Sequence, residues 1–336
     1  MKIMVTGATG NVGREVVNLL LEQGETAVAI TRNPGTAGLP AGAHIVSGDS
    51  FQPKTLTSAL SGVKAILVSP RAVGDTTAEL LSLAVEQGVE RVVVLSAITV
   101  EYPVGERRLA EQFKAVEDAA KTSGLQWTVL RNADFDSNSL AWAPQIRSAG
   151  VVRGAYGNAA TSTIHERDIA AVAVRALTNS KHSGHSYVLT GPQSLTQYDR
   201  VRLIGEAIGK ELIFERISPE QVRKGMLAQG LPEEIPNRLL GSLADYAKQA
   251  GPSRPPCSRF LAVPRLPLPN GQPTTLLLSG TDGESLEVCM RMTQTTRKFL
   301  KLVTRFPRFY TWPRRREFHG MRHVTQYKSS RQHKRS

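Results

Sequence analysis

The first residues whose types and spacing can do chemistry are three glycines. They stand as Gly7-x-x-Gly10-x-x-Gly13 inside M-V-T-G-A-T-G-N-V-G, Met4 to Gly13. A short apolar run, Lys2-Ile3-Met4-Val5, precedes them and reads as a buried strand. Arg14 to Leu21 follow, with Val16, Val17, Leu19, Leu20 and Leu21 placed to pack a helix on a sheet. Strand, glycine turn and helix is the setting a dinucleotide site requires. Gly7 permits the tight exit from the strand, Gly10 lets backbone approach a pyrophosphate, and Gly13 lets the helix sit close to the sheet. The free N–H groups of the turn and helix start, with Thr9, Asn11 and Val12 among them, then face the phosphates, helped by the helix dipole. An ordinary glycine-rich turn is the competing reading, and the flanking strand and helix weigh against it.

Further polar residues fall just past other strands. Thr26 to Thr31 reads as a second strand and ends in Thr31-Arg32-Asn33-Pro34. An NAD-preferring site places an acid here for the ribose 2′-hydroxyl. None is present, and the Arg32 guanidinium suits a 2′-phosphate, which favours NADP(H) over NAD(H). A solvated surface arginine is the plainer alternative. Ala43 to Val46 is a third strand, followed by Gly48-Asp49. Asp49 either bonds an adenine amino group or caps a turn. The pattern predicts a helix over 53–60 with proline in its first turn. It predicts strands over 64–68, ending at Ser69, over 91–95, ending at Ser96, and over 126–130. A helix over 77–87 stops at Gly88.

Apolar strands alternating with amphipathic helices predict an α/β fold, a Rossmann-type doubly wound parallel sheet with a smaller C-terminal α/β substrate part. Ligands in such sheets bind at the carboxyl ends of the strands. Thr6, Arg32, Asp49, Ser69, Ser96 and Asn132 are therefore expected to ring one crevice. His165-Glu166-Arg167-Asp168 invites a metal reading, but no third ligand stands nearby, and no metal is expected. Asp168 reads as a cap or first-turn acid of a helix over 169–177. Helices over 194–209 and 219–228, around a strand over 212–216, belong to the smaller part.

Charge divides the chain. Residues 1–252 hold 25 Lys+Arg and 25 Asp+Glu, whereas 253–336 hold 17 and 4, so the net +13 lies in the last quarter. Both cysteines, Cys257 and Cys289, lie there too, which gives no disulfide framework. No hydrophobic run is long enough for a bilayer, and the N-terminus opens directly into a strand, so no membrane association and a cytoplasmic location are expected. Three segments follow: a NAD(P)-binding core over 1–132, substrate-part segments over 133–252 with some return to the core sheet, and a basic Pro/Arg-rich tail over 253–336.

T-G-A-T-G-N-V-G, T-R-N-P, G-D, L-V-S-P, V-V-L-S-A and S-G-L-Q-W-T-V-L-R, continued by Ile164 to Ala170 and Leu189 to Pro192, together resemble the NmrA-like branch of the atypical short-chain dehydrogenases over about residues 1–250. The resemblance implies a NAD(P)H-dependent oxidoreductase passing hydride to a quinone or other small carbonyl compound. Some members instead bind NADP(H) as redox sensors without turnover, and that alternative stays open. The wider family uses Ser, Tyr and Lys, with tyrosine and lysine spaced Y-x-x-x-K. Ser96 stands at the serine position and Lys114 matches the lysine of the family's K-x-x-E, but Ala110 occupies the place of the tyrosine. Asn132 stands where the pattern has proline, next to the nicotinamide, and either pairs with the carboxamide or shapes a turn. Phe135, Asn138 and Trp142 are expected to wall the substrate pocket, with small-part core as the alternative for the two aromatics. His165 is placed near that pocket by family position.

The tail reads differently. Pro255, Pro256, Pro264, Pro267, Pro269 and Pro273, then Arg314-Arg315-Arg316 and a basic terminus, fit a disordered extension better than a nucleic-acid arm. Family members generally finish with a segment resembling V-x-x-x-x-G-R-P-x-x-T-F-x-x-W. Codons compatible with residues 257–272, read from one base earlier, give V-Q-Q-I-L-G-R-P-A-L-T-F-A-Q-W. The sequence thus carries the expectation of a frame slip just before Cys257. The gene's own codons test it.

Overall fold

The computed structural model describes residues 1–253. The expectations for residues 254–336, the frame slip included, lie outside the described residues.

The chain runs β1 (Lys2–Val5), α1 (Asn11–Glu22), β2 (Thr26–Thr31), β3 (His44–Ser47), β4 (Ala65–Val68), α2 (Pro70–Val73), α3 (Thr77–Glu86), β5 (Arg91–Ala97) and α4 (Arg107–Thr122). It continues through β6 (Gln126–Asn132), α5 (Ala143–Ala149), β7 (Val151–Gly154), α6 (Glu166–Thr178), β8 (His185–Leu189), α7 (Gln197–Ile208), β9 (Ile213–Arg216), α8 (Pro219–Ala228) and α9 (Glu234–Lys248). Seven strands form one sheet in the order β3-β2-β1-β4-β5-β6-β8, every pair parallel. β1 is third in this order, with Met4 opposite Val28 on one side and Ile66 on the other. Strand order reverses beside it, so its carboxyl end opens onto the switch point of the sheet.

Alternation along the strands builds two apolar layers. Ile3 and Val5 face α1 and α6, where Val16, Leu20, Ile169 and Ala173 are buried. Met4, Val28 and Ile66 face α3 and α4, against Leu80, Leu81, Val116 and Ala120. β4 is buried throughout, which is why it reads as a continuous apolar run. A separate two-stranded sheet, β7 beside β9, has its own core of Ala143, Ile146, Val152, Val201 and Phe214.

The structure departs from the sequence pattern in three places. Only a 3-10 turn, Pro53–Leu56, forms within 53–60. The hydroxyls of Thr55 and Thr57 donate to the carbonyls of Gln52 and Lys54, and such local bonds compete with a longer helix. α6 begins at Glu166, not Ile169, because His165 is its N-cap. α9 forms a helix the pattern had not marked, burying Pro236, Leu240 and Tyr246.

Candidate functional site

A crevice of about 780 Å³ runs across the carboxyl ends of the central strands. Its middle is the glycine turn after β1. Gly7 is left-handed (φ +63°), and its carbonyl accepts from the Gly10 N–H at 2.9 Å. A Cβ at Gly13 would lie 2.2 Å from that carbonyl oxygen, so only glycine lets α1 start this close to β1. Gly10 is the N-cap of α1 and supplies no side-chain cap, and no acid stands in the first turn. The first N–H groups of α1 therefore face the crevice unmet by side chains, the arrangement that binds a pyrophosphate.

Twelve sequence-derived residues converge here: Gly7, Thr9, Gly10, Asn11, Val12, Gly13, Arg32, Asp49, Ser69, Asn132, Phe135 and Asn138 all line the crevice, and Ser96 joins them. Arg32 is exposed at the rim past β2 and forms no ion pair among the described residues. Asp49 caps a turn: one carboxylate oxygen accepts from the Phe51 N–H at 3.1 Å. Asn132 ends β6. Its Nδ2 donates to the Ser96 carbonyl at 3.1 Å, while its Oδ1 is buried with no hydrogen-bond partner. An orphaned buried acceptor costs about 1–3 kcal/mol unless a ligand satisfies it.

Four residues stand apart from their expected roles. Lys114 does not line the crevice; its ammonium sits on the solvent side of α4, 2.5 Å from Asp118. Ser96 lines the crevice, but its hydroxyl donates backward to the buried Glu117 at 2.7 Å. Neither offers the free, crevice-facing group that a proton relay needs. Trp142 packs against the small-part core, with the Arg200 guanidinium 5.3 Å from its ring. His165 is nearly buried, and its Nδ1 accepts from the Arg167 N–H at 3.1 Å as the α6 cap.

Glu117 anchors this side of the site. Besides Ser96, it accepts from Arg131 at 2.7 and 3.0 Å and from Lys121 at 3.1 Å. Burial pushes its carboxyl upward, but the hydrogen bonds from Arg131, Ser96 and Lys121 outweigh that and hold it below the ordinary value. The network fixes the ends of β5 and β6, and with them Asn132.

Sequence reasoning missed other crevice residues: Phe51, Arg71, Asp134, Phe113, Arg238 and Tyr246. Phe51 is an exposed aromatic at the adenine side, packed over Gly74. Asp134 lies two residues past Asn132. Burial pushes its carboxyl upward, against the pull of Arg200 and then Arg238. Its side chain is nevertheless exposed along the crevice, where water screens that push. α9 closes one wall. The Gly105 N–H donates to Asp245 at 2.9 Å and the Ala160 N–H to the Tyr246 carbonyl at 3.4 Å, which holds Arg238 and Tyr246 over the opening. The two-residue offset of Asp134 from Asn132, and the Leu239-Leu240-Leu243 spacing of α9, were the available signals.

Residues 7–180 match the family model described as NAD(P)H-binding. The chain belongs to this NAD(P)H-binding family. Its relatives are NAD(P)H oxidoreductases of the atypical short-chain dehydrogenase type. It is 36% identical to (4-alkanoyl-5-oxo-2,5-dihydrofuran-3-yl)methyl phosphate reductase of Streptomyces griseus, over 68% of this chain and 82% of that one. It is 34% identical to the NAD(P)H azoreductase of Xenophilus azovorans, over 70% and 84%. The structure of the Escherichia coli NADPH-dependent quinone oxidoreductase complexed with NADPH superposes with a TM-score of 0.63 at 28% identity, covering 74% of this chain and 89% of that one. The family members' fold is the parallel sheet described above, and the protein is an NAD(P)H-dependent oxidoreductase by family. Among the described residues, no helix is long and apolar enough to cross a membrane, and no group of three His, Cys, Asp or Glu residues is arranged for a metal.

Proposed function

We propose that this protein is an NADPH-preferring reductase of quinones or other small conjugated carbonyl compounds. The observation that carries the reading is Asn132. It lines the crevice at the end of β6, with Nδ2 committed to the Ser96 carbonyl and an unpartnered Oδ1 buried just beneath the surface, within reach of a ligand after a small rotation of the side chain. That donor–acceptor arrangement fits the carboxamide of a nicotinamide. The glycine turn fits the pyrophosphate, and Arg32 fits a 2′-phosphate. When bound, NADPH supplies the hydride.

The chain's own residues then position and protonate. Asn132 orients the ring, and Phe135 and Tyr246 wall off the acceptor. One proton must accompany the hydride to leave a hydroquinone or alcohol. With Ala110 in the tyrosine's place, we assign that proton to the Asp134 carboxyl, an acid of the crevice lining two residues past Asn132. The relatives' names span a furanone phosphate, azo compounds and quinones, so the acceptor class is what this chain must reveal for itself.

Loss of NADPH absorbance against a panel of quinones, enones and aldehydes tests the reading. Turnover with NADPH exceeding that with NADH supports it. Tight NADPH binding with no turnover on any acceptor would overturn it in favour of a redox sensor, the reading that Ala110 and the solvent-facing Lys114 favour.

A further inference from the structure

Besides Arg32, the crevice holds two guanidinium groups that form no ion pair among the described residues. Arg71 comes from the short α2 just past β4, and Arg238 from α9 on the facing wall. Neither forms an ion pair among the described residues, whereas Arg131, Arg153, Arg167, Arg202 and Arg223 all do. The two charges are close enough to oppose each other: partial burial and then Arg238 pull the Arg71 guanidinium below its ordinary value. Three carboxylates line the crevice, Asp49, Glu106 and Asp134, and none lies within ion-pairing distance of either arginine. The charge of Asp134 is opposed first by Arg200, which is packed on Trp142 behind the crevice wall.

Like charges brought together in a concave site cost stability and are retained where an anion bridges them. The cofactor's own acidic groups have other partners: the α1 N-terminus lies at the glycine turn and Arg32 past β2. We infer that Arg71 and Arg238 form an anion subsite for the acceptor, which therefore carries an acidic group, phosphate or carboxylate, beside its reducible carbonyl. This rests on the reductase reading and narrows its substrate class. Guanidinium forks on two walls suit an oxyanion with several acceptor oxygens.

The test uses the full-length protein saturated with NADP⁺, with inorganic phosphate as probe, followed by calorimetry. Wild type is expected to bind phosphate, and Arg71→Gln and Arg238→Gln each to weaken it about 10-fold or more, as expected for loss of a charge-assisted hydrogen bond. Arg238→Lys should recover part of the loss. Both Gln variants should bind NADPH as wild type does and melt no lower, since each removes a repulsion. In parallel, 1,2-naphthoquinone-4-sulfonate and neutral 1,2-naphthoquinone are compared as acceptors. Wild type should prefer the sulfonate in kcat/KM, and the Gln variants should lose that preference while keeping the neutral rate. No phosphate binding to the NADP⁺-loaded protein overturns the subsite. An equal loss of NADPH affinity in the variants also overturns it, by assigning the arginines to the cofactor. Phosphate binding without reduction of either quinone leaves the subsite standing and defeats the reductase reading instead.

Discussion

Gly13→Ala probes the point on which the cofactor site turns. The added Cβ would lie 2.2 Å from the Gly7 carbonyl oxygen and 2.9 Å from its carbon. Ordinary contact needs about 3.5 Å, so α1 must withdraw from β1 by about 1 Å. α1 cannot move alone, because Val16, Val17 and Leu20 are buried against the sheet and against α6. Overpacking of this kind costs about 1–3 kcal/mol, which at this chain size lowers the melting temperature by roughly 2–12 °C. The same shift carries the first N–H groups away from the pyrophosphate. Loss of one charge-assisted hydrogen bond costs about 1.5–3 kcal/mol, or roughly 10- to 100-fold in NADPH affinity. Fluorescence titration and thermal melting read both effects. Gly225→Ala is the control: it lies within α8 with nothing within 4 Å of the new Cβ, and should hold or raise stability by about 0.5–1 kcal/mol. If Gly13→Ala binds NADPH within 2-fold of wild type and melts with it, the close approach of helix and turn is not what makes the site.

Arg32→Ala should weaken NADPH binding by about 10-fold or more and leave NADH within about 2-fold, as read by titration of both cofactors. Asp134→Asn should lower kcat on a quinone by about 10²-fold or more while NADPH binding holds, and Lys114→Ala should leave kcat unchanged, because its ammonium pairs with Asp118 outside the crevice. Glu117 makes stability pH-dependent with a defined sign. Its folded pKa lies below the ordinary 4.5, so its contribution is complete above that value and is lost as pH falls through the folded pKa. Denaturant melts from neutral to acid pH should show that slope in wild type. Glu117→Gln should flatten it and cost about 3 kcal/mol at neutral pH, because Arg131 is left without its buried partner.

The nucleotide half of the site was legible because its signals are local. A glycine whose carbonyl is 2.2 Å from where a neighbour's Cβ would stand leaves a mark in the sequence, and strand ends mark the residues beyond them. The parallel strands read clearly because both faces are buried. The substrate half was less legible, since its residues come from segments far apart in sequence. Arg71, Asp134 and Arg238 meet only through the folded sheet and α9. Lys114 matched a family spacing, but helix phase turned it to solvent while Phe113 beside it faces the crevice. His165 looked like site chemistry because histidine is rarely spent on a cap; here its ring nitrogen satisfies the Arg167 N–H instead. Trp142 looked like pocket wall, and its bulk went to the small-part core.

The joining of α6 to α1 bears on how the chain folds as it is made. α6 covers the same sheet face as α1, and Arg167 spans the gap to Glu15 and Glu22. β8 completes the sheet only after residue 185. A nascent chain that has reached residue 132 therefore owns six of seven sheet strands but leaves the α1 side half bare, with Ile3, Val5, Val93 and Leu130 short of their cover. The nucleotide-binding half cannot mature on its own during synthesis; it must wait for some 50 further residues, a long-range closure of the slow kind. Of the smaller part only α5 and β7 precede that closure; α7, β9, α8 and α9 follow it, so the crevice wall that carries Arg238 and Tyr246 is the last part to be made.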